Sequence, residues 1–223
     1  MTTPRFELYS FWRTAATYRV RVALALKGLS WQEHNINLDA GEQRSEAFLK
    51  VNPLGGVPAL IDREGVSTAP ITQSIAILEY LEEVAPSPAL LPTDPAGRAR
   101  VRAIALALAA DTHPLITGRI KKYLVANASF DDDKFRAWQT HWLTLGLQAV
   151  EKRLASEPET GTCCHGDSVT HADICLASLL AVAPIFKIDI SEIPTIRRIM
   201  LPVMSQDAFV QAEPLLQEGA PKA

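Results

Sequence analysis

The apolar and polar positions in the first third of the chain change period several times, which indicates short strands alternating with helices. Phe6–Ser10 alternates apolar with polar residues, as expected of a strand with one buried face. Apolar residues then recur at helical spacing, and Gly28 is placed to end that helix. The predicted elements up to residue 83 are strands at 6–10 and 31–38, a strand that ends at 61, a strand at 66–71, and helices at 18–27, 45–50 and 72–83.

The order of these elements, β-α-β-α-β-β-α, predicts an α/β domain of the thioredoxin-like type. Four prolines within ten residues, the last of them Pro95, then indicate a linker. The rest of the chain has helical periodicity only, with helices predicted at 96–111, 130–156, 170–183 and 194–201. We therefore predict a thioredoxin-like domain at 1–85, a linker at 86–92 and an all-α domain at 93–223.

The composition is that of an ordinary globular protein, and it narrows the choice of partners. The 223 residues carry a formal net charge of −3, so no basic surplus points to nucleic acid. The amino terminus lacks the basic and apolar regions of a signal peptide, and no stretch approaches the ~20 apolar residues of a membrane span. We therefore expect neither a nucleic-acid nor a membrane partner.

The cysteines indicate a reducing cytoplasm and no metal site. Cys163, Cys164 and Cys175 are an odd number with no CxxC spacing, which is a poor disulfide framework. His165 and His171 lie near them, but the spacing forms no metal-ligand cluster.

Residues 170–173 read Thr-His-Ala-Asp before an apolar helical run. This spacing predicts a capping box, in which Thr170 caps the helix and Asp173 accepts a bond from the backbone N–H of residue 170. A catalytic role for Asp173 is the alternative, and the capping box explains the pattern better.

Five stretches together carry a family likeness: 8–28, 52–60, 72–83, 112–115 and 166–177. In these stretches the chain resembles the zeta class of glutathione transferases, which includes the maleylacetoacetate and maleylpyruvate isomerases. The resemblance implies the glutathione transferase fold, glutathione as cofactor and a symmetric homodimer. It also implies a role in the catabolism of aromatic amino acids.

The resemblance assigns the glutathione site to residues of three motifs. A cis peptide bond between Val57 and Pro58 would present the Val57 backbone to the cysteinyl part of glutathione; the alternative is a trans proline before a strand. Gln73 and Ser74 would bind the γ-glutamyl end, since a helix N-terminus offers free N–H donors to a carboxylate; the alternative is plain capping. His113 would contact the glycine end, or it would only stabilise a kink.

The loop 13–17, Arg-Thr-Ala-Ala-Thr, departs from the Ser-Ser-Cys-Ser pattern usual in the zeta class. A thiol with a pKa near ~8.5 must be lowered by ~1.5 units, about 2 kcal/mol, to be half ionised at neutral pH. One hydroxyl hydrogen bond to the charged sulfur supplies ~1.5–3 kcal/mol, and a helix N-terminus adds ~0.3–1 kcal/mol. Thr14 is the first candidate for this hydroxyl because it aligns with the first serine. Thr17 is the second candidate; the alternative is that Thr17 only caps the helix.

Arg13 and Arg119 are the candidates for binding a dicarboxylate, because a guanidinium fork matches a carboxylate. Each could instead be an ordinary exposed charge. Two further features expected from the family are missing: Ile185 stands where an arginine is expected, and Leu54-Gly55-Gly56 replaces a loop that often holds glutamine.

The resemblance leaves three functions open. The first is glutathione-dependent cis–trans isomerisation of a maleyl-type diacid, in which a thiolate adds reversibly to the double bond. The second is glutathione transfer to, or dehalogenation of, a small electrophile, which the loss of an arginine at Ile185 favours. The third is a non-catalytic glutathione-binding protein, which Ala15 and Ala16 favour. Product with unchanged glutathione indicates the isomerase, whereas consumption of glutathione indicates the transferase.

Overall fold

The fold is seen in a computed structural model that describes residues 3–188 and 192–221. The chain forms two compact units, of which the first comprises Met1–Ala89 with Gln206–Ala223 and the second comprises Leu90–Ser205. The sequence placed 206–223 in the helical domain, but this segment groups with the first unit. The reason is packing, because Phe209 is buried there and its carbonyl accepts a hydrogen bond of 3.5 Å from the Tyr18 hydroxyl.

A mixed four-stranded sheet of order β2-β1-β3-β4 forms the centre of the first unit. Its strands are β1 (Phe6–Ser10), β2 (Trp31–Asn35), β3 (Ala59–Asp62) and β4 (Ile71–Thr72). β1 pairs parallel to β2 and antiparallel to β3, and β3 pairs antiparallel to β4. β1 has the predicted bounds, whereas β4 is much shorter than the predicted 66–71. Pro70 cannot donate to a strand ladder, and the fully exposed Val66 has no core to bury.

The helices of the first unit are α1 (Ala15–Leu26), α2 (Glu46–Val51) and α3 (Ser74–Val84), with α9 (Asp207–Gln211) from the end of the chain. α1 begins three residues earlier than predicted, because Thr14 rather than Thr17 is its N-cap. α3 begins at Ser74 rather than residue 72, because Thr72 still pairs in β4.

The second unit is helical, as its periodicity predicted. Its helices are α4 (Pro95–Leu106), α5 (Gly118–Ala128), α6 (Asp132–Ser156), α7 (His171–Val182) and α8 (Pro194–Met204). The helix predicted at 96–111 is only partly right, because α-helical geometry ends at Leu106 and a π-helical segment, Ala107–Thr112, follows. Among the described residues, no helix is long and apolar enough to span a membrane.

The capping box at the start of α7 is confirmed. Asp173 is buried, and its carboxylate accepts hydrogen bonds from the Thr170 N–H (2.9 Å) and the Thr170 hydroxyl (2.8 Å). It also accepts a bond of 2.7 Å from the Cys164 N–H, so the cap holds the preceding loop as well. Burial raises the pKa of Asp173, although these bonds oppose the rise.

Candidate active site

The strand register brings three of the predicted motifs to one end of the sheet. Ala59 pairs with Tyr9 on one side and with Thr72 on the other. The loop that follows β1, the Val57–Pro58 step before β3 and the Gln73–Ser74 step after β4 therefore leave the sheet at the same end. Three segments far apart in the sequence thus form one surface of the first unit.

The Val57–Pro58 peptide bond is cis, as predicted. The loop before it is held by Asn52, whose side-chain amide donates to the Gly56 carbonyl (2.6 Å) and whose oxygen accepts from the Leu54 N–H (3.1 Å). Among the described residues, no hydrogen bond engages the half-buried backbone of Val57. Its N–H and carbonyl are thus available to an extended peptide-like ligand.

Gln73 lies at the N-terminus of α3 with a backbone φ of +70°, a region that side-chain-bearing residues rarely adopt and that often marks a functional site. Its side chain does not cap the helix, so the N–H groups of the first turn are open to an anion. Ser74 is buried beside it, and its hydroxyl accepts a hydrogen bond of 3.0 Å from Arg19 on α1.

Arg19 and Arg21 lie next to the candidate site, and the sequence analysis did not single them out. Both are almost completely buried, which is unusual for a charged side chain. Arg21 donates to Glu33 (2.8 Å), to the Ser10 hydroxyl (3.2 Å) and to the Trp12 carbonyl (3.5 Å), and it thereby fixes the loop that follows β1. Burial raises the pKa of Glu33, but the charge and hydrogen bonds of Arg21 outweigh it, so the pKa is lowered. The signal available in the sequence was two arginines flanking Val20 within an apolar helix.

The two candidate threonines contact each other. Thr14 Oγ1 lies 2.5 Å from Thr17 Oγ1 and accepts from the Thr17 N–H at 3.3 Å. Thr17 is fully buried, whereas Thr14 is partly exposed at the start of α1. Only the Thr14 hydroxyl can therefore reach a ligand at this end of the sheet directly, with Thr17 behind it.

Arg13 is already engaged by an acidic partner. Its guanidinium forms a short ion pair with Asp39 and lies over the rings of Phe11 and Trp12, 5.2 Å and 5.5 Å from their centroids. Arg13 and Thr14 are neighbours in the loop that follows β1, so both belong to the same segment of the candidate site.

His113 and Arg119 belong to the second unit. His113 is half-buried and begins a short 3₁₀ turn, His113–Ile116, directly after the π-helical segment. Arg119 is exposed in the first turn of α5 and forms no ion pair with the described residues. The roles predicted for these two residues remain predictions.

The protein's own thiols are not suited to nucleophilic chemistry. Cys163, Cys164 and Cys175 are buried thiols that form no disulfide with the described residues. Burial raises the pKa of Cys163 to about 11 and raises that of Cys164 well above its ordinary value, which suppresses the reactive thiolate. Among the described residues, no group of histidine, cysteine and acidic side chains could hold a metal ion.

Comparison with known proteins gives matches over nearly the whole chain. The family description "Glutathione S-transferase, N-terminal domain" matches residues 4–83. Maleylacetoacetate isomerase of Pseudomonas aeruginosa is 41% identical to this chain, and the match covers 97% of this chain and 100% of the isomerase. The structure of maleylacetoacetate isomerase from Methylobacterium extorquens AM1, with bound malonate and glutathione, is 44% identical over 97% of this chain and 100% of its own, with a TM-score of 0.93. The structure of a zeta-class maleylpyruvate isomerase, a bacterial glutathione S-transferase, is 37% identical over 96% of this chain and 100% of its own, with a TM-score of 0.90.

Proposed function

Because this chain belongs to the glutathione S-transferase family, we propose that it is a glutathione-dependent enzyme that isomerises a maleyl-type diacid from cis to trans. Its relatives named above are maleylacetoacetate and maleylpyruvate isomerases that match it over almost their entire length. We further propose that it acts as a homodimer in the cytoplasm, in the catabolism of aromatic amino acids.

The single observation that supports this function best is the meeting of three features at one end of the sheet. They are the open backbone of Val57 next to a cis proline, the uncapped N-terminus of α3 at Gln73, and the Thr14 hydroxyl. Glutathione is an extended tripeptide with a carboxylate at each end and a sulfur between them. The residues present fit it: Val57 would pair with its backbone, and Gln73 and Ser74 would bind its γ-glutamyl carboxylate. We propose His113 for the glycine end.

When bound, glutathione supplies a thiolate that adds reversibly to the cis double bond and so allows rotation about it. The contribution of the protein is to keep the sulfur ionised. The Thr14 hydroxyl would donate one hydrogen bond, worth ~1.5–3 kcal/mol toward a charged acceptor, and the N-terminus of α1 adds ~0.3–1 kcal/mol. About 2 kcal/mol is enough to bring a thiol of ordinary pKa to half ionisation at neutral pH.

We propose that Arg13 and Arg119 bind the carboxylates of the diacid. The Arg13 guanidinium lies over two aromatic rings, which restricts its position in the loop that also holds Thr14. The relative from Methylobacterium extorquens AM1 binds malonate, a small dicarboxylate, together with glutathione. This supports a dicarboxylate as the class of substrate that binds together with glutathione.

The test is to incubate the purified protein with maleylacetoacetate or maleylpyruvate and a substoichiometric amount of glutathione. We expect complete conversion to the trans isomer with all of the glutathione recovered, and no conversion when S-methylglutathione replaces it. Consumption of glutathione in proportion to product would indicate a transferase instead. Absence of product at saturating glutathione would refute the enzymatic function.

A further inference from the structure

Asp39 lies in a loop whose conformation is fixed by its own hydrogen bonds. The Asn37 side chain accepts from the N–H groups of Asp39 (3.0 Å) and Ala40 (3.1 Å), and the Asn37 N–H donates to Glu42 (2.7 Å). Gly41, with a φ of +82°, completes the turn. Asp39 is therefore held in place by the turn, and its carboxylate is presented to Arg13 in a defined position.

The Arg13–Asp39 pair is accessible to solvent and to ligands. The side chains are 32% and 57% exposed, so water screens the pair and it holds the fold together only weakly. The other contacts of Arg13 are the faces of Phe11 and Trp12, which restrict where its guanidinium can move. Asp39 accepts from Nη2 of Arg13, so an incoming carboxylate that binds the guanidinium in a two-pronged geometry through Nη2 must displace Asp39 from that nitrogen.

We propose that Asp39 is a specificity-determining residue that acts as an internal competitor for the substrate carboxylate at Arg13. It occupies Arg13 with the same chemical group that a diacid would offer. Asp39 thus raises the KM for dicarboxylates and shifts selectivity toward substrates that do not need Arg13. This inference rests on the proposed function, because it assumes that Arg13 contacts the diacid.

The test measures binding of malonate to the full chain saturated with glutathione. Replacing Asp39 by Asn removes the charge and keeps the size, and we expect the dissociation constant of malonate to fall about 3- to 10-fold. Asp39→Ala should act in the same direction, which separates the effect from any hydrogen bond that the asparagine amide makes to Arg13. Glu46→Gln is the matched control. Glu46 is also an exposed, ion-paired acid, 3.0 Å from Lys50, and its replacement changes the net charge equally.

A double-mutant cycle with Arg13→Met completes the test. In that background Asp39→Asn should leave malonate affinity unchanged, because the competition has no site. The proposal is overturned if both Asp39 variants bind malonate as the wild type does or more weakly. It is also overturned if Glu46→Gln binds malonate as tightly as the Asp39 variants, or if Asp39→Asn still strengthens malonate binding in the Arg13→Met background.

Failure of the proposed function would look different. A wild-type protein that binds malonate but does not isomerise diacids would refute the isomerase, while the cycle would still decide the role of Asp39. Conversely, if the protein isomerises diacids and the Asp39 variants bind malonate as the wild type does, only the role of Asp39 as a competitor is refuted.

Discussion

At the scale of single residues, the Thr14 hydroxyl serves two purposes. It caps α1 through a long, weak bond of 3.3 Å from the Thr17 N–H, and it pairs closely with the Thr17 hydroxyl at 2.5 Å. Thr14 can accept the proton of Thr17 in this pair, because either hydroxyl can be the donor. The Thr14 proton itself makes only a long bond of 3.3 Å to the Phe11 carbonyl, and turning it to a ligand breaks that bond. A buried second threonine is therefore useful even though it does not reach the ligand.

We predict that Thr14→Val raises the pKa of the bound glutathione thiol by about one to two units, since ~1.5–3 kcal/mol of stabilisation is lost. It should also lower the free energy of unfolding by ~0.5–2 kcal/mol through loss of the cap. Thr14→Ser keeps both functions and should resemble the wild type. Ultraviolet titration of thiolate absorbance in the complex measures the first effect, and denaturant unfolding measures the second. If the thiol pKa in the Thr14→Val complex equals that in the wild-type complex, a group other than Thr14 stabilises the thiolate.

Some residues of the site could be predicted from the sequence and others could not. The cis Val57–Pro58 bond was predicted, because its motif carried the family likeness. The Arg13–Asp39 and Arg19–Ser74 contacts were not, because each joins residues 26 or 55 positions apart and depends on how loops and helices pack. Local spacing contains no information on such pairs.

At the scale of elements, the end of β3 is fixed by a buried carboxylate. Asp62 accepts hydrogen bonds from Arg5 (2.8 Å), from the Tyr80 hydroxyl (2.7 Å) and from the Glu64 N–H (2.9 Å). It thereby joins the strand to the amino-terminal segment and to α3. The hydrogen bonds from Arg5 are the main cause that lowers the pKa of Asp62 to about 2.

This lowered pKa makes the first unit sensitive to acid. The ordinary pKa of an aspartate is 3.8, so the native state favours the ionised form, and the stabilisation is complete above that value and is lost as the pH falls through about 2. The contribution at neutral pH is about 2 kcal/mol. We expect Asp62→Asn to be less stable than the wild type at pH 7 by roughly this amount and to lose less stability on acidification. Unfolding by urea at several pH values measures it, and parallel curves for the two proteins would contradict it.

Element prediction succeeded where burial is periodic and failed where it is not. The capped α7 and the alternating β1 were found with nearly correct bounds. α5 was missed although Ile120, Tyr123 and Leu124 follow helical spacing, because this apolar stripe covers only about one turn and none of the residues of α5 is buried. The change from α to π geometry after Leu106 was also missed. There the Thr112 hydroxyl bonds the Ala107 carbonyl (2.8 Å), and Gly146 leaves room for it on α6.

At the scale of the whole molecule, the chain returns to its first unit at its end. Phe209 is fully buried, and α9 packs against α1, the helix that begins at Thr14. The first stretch of the first unit ends at Ala89, within the proline-rich segment. The return could not be predicted, because the sequence of residues 206–223 is as mixed in polarity as the helices of the second unit.

We predict that Phe209→Ala lowers the free energy of unfolding of the first unit by about 3–5 kcal/mol, the usual cost of such a cavity. Hydrogen exchange should accelerate in α1 and in the sheet, while α7 of the second unit should keep its protection. Leu216→Ala is the control, because Leu216 is 68% exposed and its loss should change stability by less than ~0.5 kcal/mol. If Phe209→Ala lowers the free energy of unfolding as little as Leu216→Ala does, the segment does not stabilise the first unit.

The position of the three cysteines has a consequence for how the protein tolerates chemical stress. All of them are buried, and none lies in the first unit, where the proposed chemistry takes place. Peroxides and alkylating agents such as iodoacetamide attack thiolates, so in this system they would meet a reactive sulfur only in the bound tripeptide. The damaged molecule would dissociate and a fresh one would replace it, whereas a protein with its own nucleophilic cysteine would need repair or resynthesis.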